Sequence, residues 1–184
     1  MLLDRDLSCV VLVDVQEKLA PLLPENASLI ARGAWILRLA ETLSVPVMVC
    51  EQYPRGLGHT VEALRPFRER SPCFEKVAFS CFADAPFAAH LLDEGRKQVV
   101  LIGIETHVCV LQSALQMKAA GFEVYVVRDA VGSRHALDHE TGLSRMQAEG
   151  VHVVTSEMVF FEWLRVAGTN EFRELSRQFM REEA

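Results

Sequence analysis

The sequence predicts an α/β protein, a three-layer α/β/α sandwich around a mostly parallel, Rossmann-like sheet of about six strands. Three observations carry this expectation. Short apolar runs without polar alternation recur along the chain, as strands buried on both faces require. Stretches with helical spacing lie between them, and glycines stand where such stretches give way to the next run.

The strand runs are residues 9–13, 45–50, 99–102, 124–127 and 151–154, with a weaker sixth near 76–79. Helical spacing marks 27–43, 86–94, 108–120 and 138–149. Alternation of the two implies right-handed crossovers, with helices covering both faces of the sheet. Gly95, Gly121 and Gly150 each precede a strand run, where a left-handed helix C-terminus favours glycine. The tail, 156–184, carries Met158, Phe160, Phe161, Trp163 and Leu164, then Phe172, Leu175 and Phe179. It reads as one or two helices packed on the sheet edge or on another subunit, so a homo-oligomer is expected.

Length and composition bound the rest. A chain of 184 residues, half hydrophobic and 24% charged, is expected to form one packed domain over 1–184. The formal charge is -6, and no cluster of Lys and Arg builds the footprint that phosphate backbones need, so no nucleic-acid partner is expected. The start, Met-Leu-Leu-Asp-Arg-Asp, lacks the basic-then-apolar pattern of a signal peptide, and the longest apolar runs are strand-length. Both point to a cytoplasmic protein with no membrane partner. Five cysteines without a C-x-x-C pair read as reduced thiols. Gly56 and Gly58 begin a G-x-G, but Val61 stands where the dinucleotide fingerprint needs its third glycine, and no P-loop exists. No cofactor is expected.

In open parallel sheets the ligand crevice lies beyond the carboxyl ends of the strands, so polar residues that close apolar runs are the first candidates. Asp14 closes Cys-Val-Val-Leu-Val; a carboxylate there suits general base work in a partly desolvated cleft, or simply caps a turn. Cys109 lies in Gly-Ile-Glu-Thr-His-Val-Cys, in the first turns of a helix whose amide dipoles favour thiolate, although cysteines are commonly buried for packing alone. Lys76, between Cys-Phe-Glu and Val-Ala-Phe, would add a stabilising cation if it turned inward instead of to solvent.

The segments Val-Leu-Val-Asp-Val-Gln at Asp14, Phe-Glu-Lys-Val-Ala-Phe-Ser-Cys-Phe at Lys76 and Gly-Ile-Glu-Thr-His-Val-Cys-Val at Cys109 together resemble the isochorismatase-like, or cysteine hydrolase, superfamily. Glu-Gln-Tyr-Pro-Arg-Gly-Leu-Gly-His-Thr at 51–60 and Asp-Ala-Val-Gly-Ser-Arg at 129–134 are similar to its isochorismatase domain-containing group. The resemblance implies Cys109 as nucleophile, Asp14 as base, Lys76 as electrostatic support, and a small amide or related carbonyl compound as substrate. It also implies an oxyanion hole from the backbone N–H groups of Glu105 and Cys109, and a cis bond from Ile104 to Glu105. A non-catalytic oligomeric interaction protein keeping the fold is the other reading.

Two departures shape the substrate expectation. Nicotinamidases of the superfamily carry an Asp-x-His metal segment after the second strand, whereas Glu51-Gln52-Tyr53 puts tyrosine at the histidine position, so no metal is expected. Isochorismatases cleave a vinyl ether and often have glycine where this chain has Cys109, so isochorismate is disfavoured. Gln16, Gln52, Tyr53, Phe79 and Phe82 are expected either to wall the pocket or to pack beside it. The His135/His139 pair beside Asp138 reads as a solvated helix start.

Overall fold

The apolar runs become strands and the stretches between them become helices. A computed structural model describes residues 1–180. The final positions of the 156–184 tail and of the 1–184 domain lie outside the described residues. Chain order is β1 (Ser8–Val13), α1 (Asn26–Thr42), β2 (Val47–Gln52), α2 (Pro54–Leu57), α3 (Arg65–Arg70), β3 (Cys73–Lys76) and α4 (Ala85–Asp93). Then follow β4 (Gln98–Ile104), α5 (Leu111–Ala119), β5 (Glu123–Gly132), α6 (Ala136–Ala148), β6 (His152–Val154), α7 (Ser156–Leu164) and α8 (Asn170–Phe179).

The six strands form one sheet of order β3-β2-β1-β4-β5-β6, and every pairing is parallel. β1 lies in the middle, so all six of its residues are buried. Its alternate side chains feed two separate cores. Val10 and Leu12 join Trp35, Ile36, Leu39, Phe160 and Phe179 on one face; Cys9, Val11 and Val13 join Phe87, Ala114, Met117 and Met146 on the other. The expected three layers follow, with α1, α7 and α8 on one side and α4, α5 and α6 on the other.

The order reverses between β1 and β4, the switch point at which a doubly wound sheet opens its crevice. Gly103 sets the geometry there. Its φ is 120°, next to a shift in the β4–β5 register, and a Cβ at this position would fall onto the Val13 carbonyl. Only glycine lets β4 run this close to β1.

Gly95, Gly121 and Gly150 all have positive φ, as the helix ends required. The third strand is displaced from its expected position: it ends at Lys76, and the apolar Val77 and Phe79 that follow are 80% and 55% exposed. The helix expected over 108–120 opens with a π-turn over Thr106–Val110 before α5 begins. The tail forms α7 and α8, which pack on the body of the chain. Trp163 Nε1 donates to Ser8 Oγ at 3.1 Å, and Trp35 Nε1 donates to the Phe179 carbonyl at 3.0 Å. Phe179 also meets the Trp35 ring edge-on.

Candidate functional site

Register brings the site together. Val13 pairs with Cys50 on one side and Gly103 on the other, while Gln52 pairs with Lys76. The residues just past these pairs, Asp14 and Ile104, therefore emerge at one level of the sheet. Asp14 turns sharply at the end of β1, with φ of 54°, and its amide donates to the Cys50 carbonyl. The Ile104–Glu105 peptide bond is cis, and Cys109 follows within the π-turn.

Lys76 is not a solvated strand end. Its Nζ donates to Asp14 Oδ2 at 2.7 Å, to Gln52 Oε1 at 2.7 Å and to the Phe79 carbonyl at 3.0 Å. Both charged side chains are fully buried. Burial pushes the Asp14 carboxyl above the usual carboxylate range, and the Lys76 charge only partly opposes this. Burial also works against the Lys76 ammonium, but the Asp14 carboxylate together with Cys81 and Cys109 outweighs it, so the lysine holds its proton more tightly than usual. Asp14 Oδ1 is buried without a hydrogen bond of full geometry; the donors near the carboxylate, besides Lys76, are the Cys109 thiol and the Gln52 amide.

Cys109 is buried, with 7% of its surface exposed. Its thiol is pushed up in pKa, first by burial and next by the Asp14 carboxylate, with Lys76 opposing. The helix-start argument favoured thiolate; desolvation and the neighbouring carboxylate override it. The resting group is a thiol beside a carboxylate of raised basicity, which suits proton transfer from one to the other.

The remaining expected residues divide. Gln16 and Gln52 are buried, and their amides bond inside the protein. Gln16 Nε2 donates to the Gln52 and Gly58 carbonyls while its Oε1 accepts from the Gln52 amide, and Gln52 Nε2 donates to the Val77 carbonyl. Tyr53 and Phe79 are 54% and 55% exposed near the Lys76 turn, whereas Phe82 packs edge-on against Phe122. Glu105 places its carboxylate on the Arg134 amide and Nε, both at 3.0 Å; burial raises its pKa, but Arg134 more than offsets this and holds it low.

Several ties escaped the sequence reading. His139 Nδ1 meets Thr106 Oγ1 and His107 Nδ1 meets Ser133 Oγ, both at 2.9 Å, so the segment bearing Cys109 is fastened to α6 and to the β5–α6 connection. His135 stands exposed at the start of α6 as expected, whereas His139, one turn on, is half-buried against Thr106. A cavity of about 490 Å³ lies behind this connection, lined by Leu23, Leu29, Arg128, Ser133 and His139, and none of Asp14, Lys76 or Cys109 lines it. The spacing of these residues gave no signal for such contacts.

A metal does not fit the second-strand position. The Glu51 carboxylate accepts from the Thr60 amide and hydroxyl at 2.8 Å and from Arg68 Nε at 2.9 Å, and His59 Nδ1 lies 2.9 Å away. Its oxygens are already committed. Among the described residues no group of three or more His, Cys, Asp or Glu could hold a metal ion, and no helix is long and apolar enough to cross a membrane.

Asp14, Lys76 and Cys109 thus gather at the switch point of a doubly wound parallel sheet. The chain belongs to the isochorismatase family: residues 8–158 match the isochorismatase domain. It is 36% identical over 173 residues to isochorismatase domain-containing protein 2A of Mus musculus, covering 92% of this chain and 81% of that one. It is 38% identical over 162 residues to isochorismatase domain-containing protein 1 of Salmo salar, covering 88% of this chain; it spans only 57% of that relative's length. Among solved structures, the MAR1 ribonuclease of Caenorhabditis elegans superposes with a TM-score of 0.90 at 32% identity, over 98% of this chain and 93% of that one. The Escherichia coli YcaC protein, described as an octameric hydrolase of unknown specificity, shares the fold at a TM-score of 0.87 and 23% identity, over 97% of this chain and 96% of that one.

Proposed function

We propose that this isochorismatase-family protein hydrolyses a small amide or related carbonyl compound through a Cys109 thioester. One observation carries the reading: the buried Lys76–Asp14 pair at 2.7 Å, with the Cys109 thiol beside the carboxylate. Asp14 accepts the thiol proton as Cys109 sulfur bonds to the substrate carbonyl carbon, and the carbonyl electron pair moves onto oxygen. The oxyanion takes donors from the Glu105 and Cys109 backbone amides. Collapse expels the leaving amine, which receives the proton held by Asp14. Water then loses a proton to Asp14 and attacks the thioester; the acid product departs and the proton returns to sulfur. Lys76 supports the carboxylate throughout. Tyr53 and Phe79 serve as apolar walls at the mouth, which suits a small, flat substrate.

The test is a panel of small amides and esters, with nicotinamide and p-nitrophenyl acetate among them, assayed with the wild type and the variants Cys109→Ala and Asp14→Asn. Turnover that vanishes in Cys109→Ala and falls steeply in Asp14→Asn supports the reading. An RNA oligonucleotide belongs in the panel because of the name carried by the Caenorhabditis elegans structure; RNA cleavage with no turnover of the amides or esters would overturn it. A cytoplasmic location and a homo-oligomer are part of the proposal, the first supported by five free cysteines and the second by the exposed apolar residues Tyr53, Val77 and Phe79. Those same residues favour the interaction-protein reading if the whole panel stays silent.

A further inference from the structure

An ammonium has three N–H donors. In Lys76 all three are spent inside the protein, on Asp14 Oδ2, Gln52 Oε1 and the Phe79 carbonyl. None is left for a substrate oxygen, so Lys76 must work through Asp14. The question becomes what aims the ammonium at the carboxylate.

Gln52 answers it. An amide side chain can flip, and only the orientation that turns its oxygen to Lys76 is useful here. Two contacts select that orientation: Oε1 accepts from Lys76, and Nε2 donates to the Val77 carbonyl at 2.7 Å, one residue along the turn that carries the lysine. Flipping the amide would set an NH2 against a buried ammonium and an oxygen against a carbonyl, leaving both contacts badly paired. The Gln52 backbone is clamped in turn, its amide and carbonyl both bonded to the Gln16 side chain. Gln16 is fully buried and Gln52 nearly so. Gln52 also lies opposite Lys76 in the β2–β3 register, so the clamp and the lysine are held on adjoining strands.

We propose that Gln52 is a positioning residue that locks Lys76 on Asp14, with Gln16 bracing it from the loop after β1. This rests on the reading of Asp14 as the base and deepens it. The lock leaves Lys76 a fixed charge that cannot swing toward substrate. The other titratable groups facing the pair are the thiols of Cys50, Cys81 and Cys109.

The test uses nuclear magnetic resonance on the whole chain and needs no substrate. In the wild type, the Lys76 ammonium protons, assigned by their loss in Lys76→Met, should exchange slowly with solvent because each is engaged and buried. In Gln52→Met, which removes the acceptor and keeps the bulk, their exchange should quicken at least tenfold. In Gln52→Glu a second carboxylate draws the ammonium, so the Asp14 side-chain carbon should titrate at a pH about one unit higher than in the wild type. Circular dichroism shows whether each variant is folded. Fast exchange in the wild type would overturn the proposal by itself. Unchanged exchange and an unchanged Asp14 midpoint in the folded variants would also overturn it, leaving Gln52 a packing residue. A shifted Asp14 midpoint combined with no turnover on the amide and ester panel would uphold the lock while removing the hydrolase reading, so the two fail separately.

Discussion

Lys76 Nζ stands 2.7 Å from Asp14 Oδ2, and neither side chain reaches solvent. Two charges taken out of water in this way are costly, and each is tolerable only while the other is present.

Replacing Lys76 by Met should therefore destabilise the fold by about 3–5 kcal/mol near neutral pH, the range seen when one member of a buried pair is removed. Asp14, already raised by burial, would rise further. Its folded pKa then lies above the unfolded one, so the folded state takes up its proton first as pH falls. The loss should be smaller in urea melts at acid pH than at neutral pH. An equal loss at both would show that the carboxylate is not the cause.

Glu51 predicts the opposite pH window. Burial alone would raise its pKa, but the donors from Arg68, His59 and Thr60 hold it down at about 2. A depressed carboxylate stabilises the fold above its unfolded value and loses that contribution as pH falls from about 4.5 toward about 2. The contribution is at most about 3 kcal/mol. Glu51→Gln should flatten the acid limb of the stability curve, and an unaltered limb would remove Glu51 as its source.

Asp14→Asn separates thiol ionisation from catalysis. It removes a carboxylate that raises the Cys109 pKa and keeps the Lys76 cation that lowers it. Thiolate absorbance near 240 nm, assigned by difference from the Cys109→Ala background, should appear at a lower pH than in the wild type. Turnover should fall by about 10²–10⁴, the usual share of a positioned base. A variant with more thiolate and undiminished hydrolysis would strip Asp14 of its role as base.

Added zinc should leave the melting temperature unchanged, because the Glu51 oxygens are already bound to Arg68 and Thr60. EDTA should have no effect on turnover. Loss of activity in EDTA with recovery on adding zinc or iron would contradict both expectations.

The central strands were legible because burial on both faces leaves unbroken apolar runs such as Cys9–Val13, and the helix ends because Gly95, Gly121 and Gly150 occupy conformations other residues avoid. The third strand was misplaced for the same reason in reverse: Val77 and Phe79 are apolar but exposed, so hydropathy shifted the run past Lys76. The residues 53–70 gave no pattern because their short helices are held by side-chain bonds to Glu51 and Gln16, contacts that leave no periodicity. Asp14, Lys76 and Cys109 were found through their motifs, whereas the Gln16–Gln52 clamp was not. Glutamines in a buried hydrogen-bonded chain look like any others until the partners are seen.

Gly103 also governs what else this scaffold could become. Because β4 can pass the Val13 carbonyl only where no Cβ stands, the crevice floor tolerates no side chain at that point. A search for variants with new substrates can randomise the exposed rim at Tyr53, Val77 and Phe79, but a library that varies position 103 would fill with unfolded members. The walls of the site are open to engineering, and its foundation is fixed by one missing methyl group.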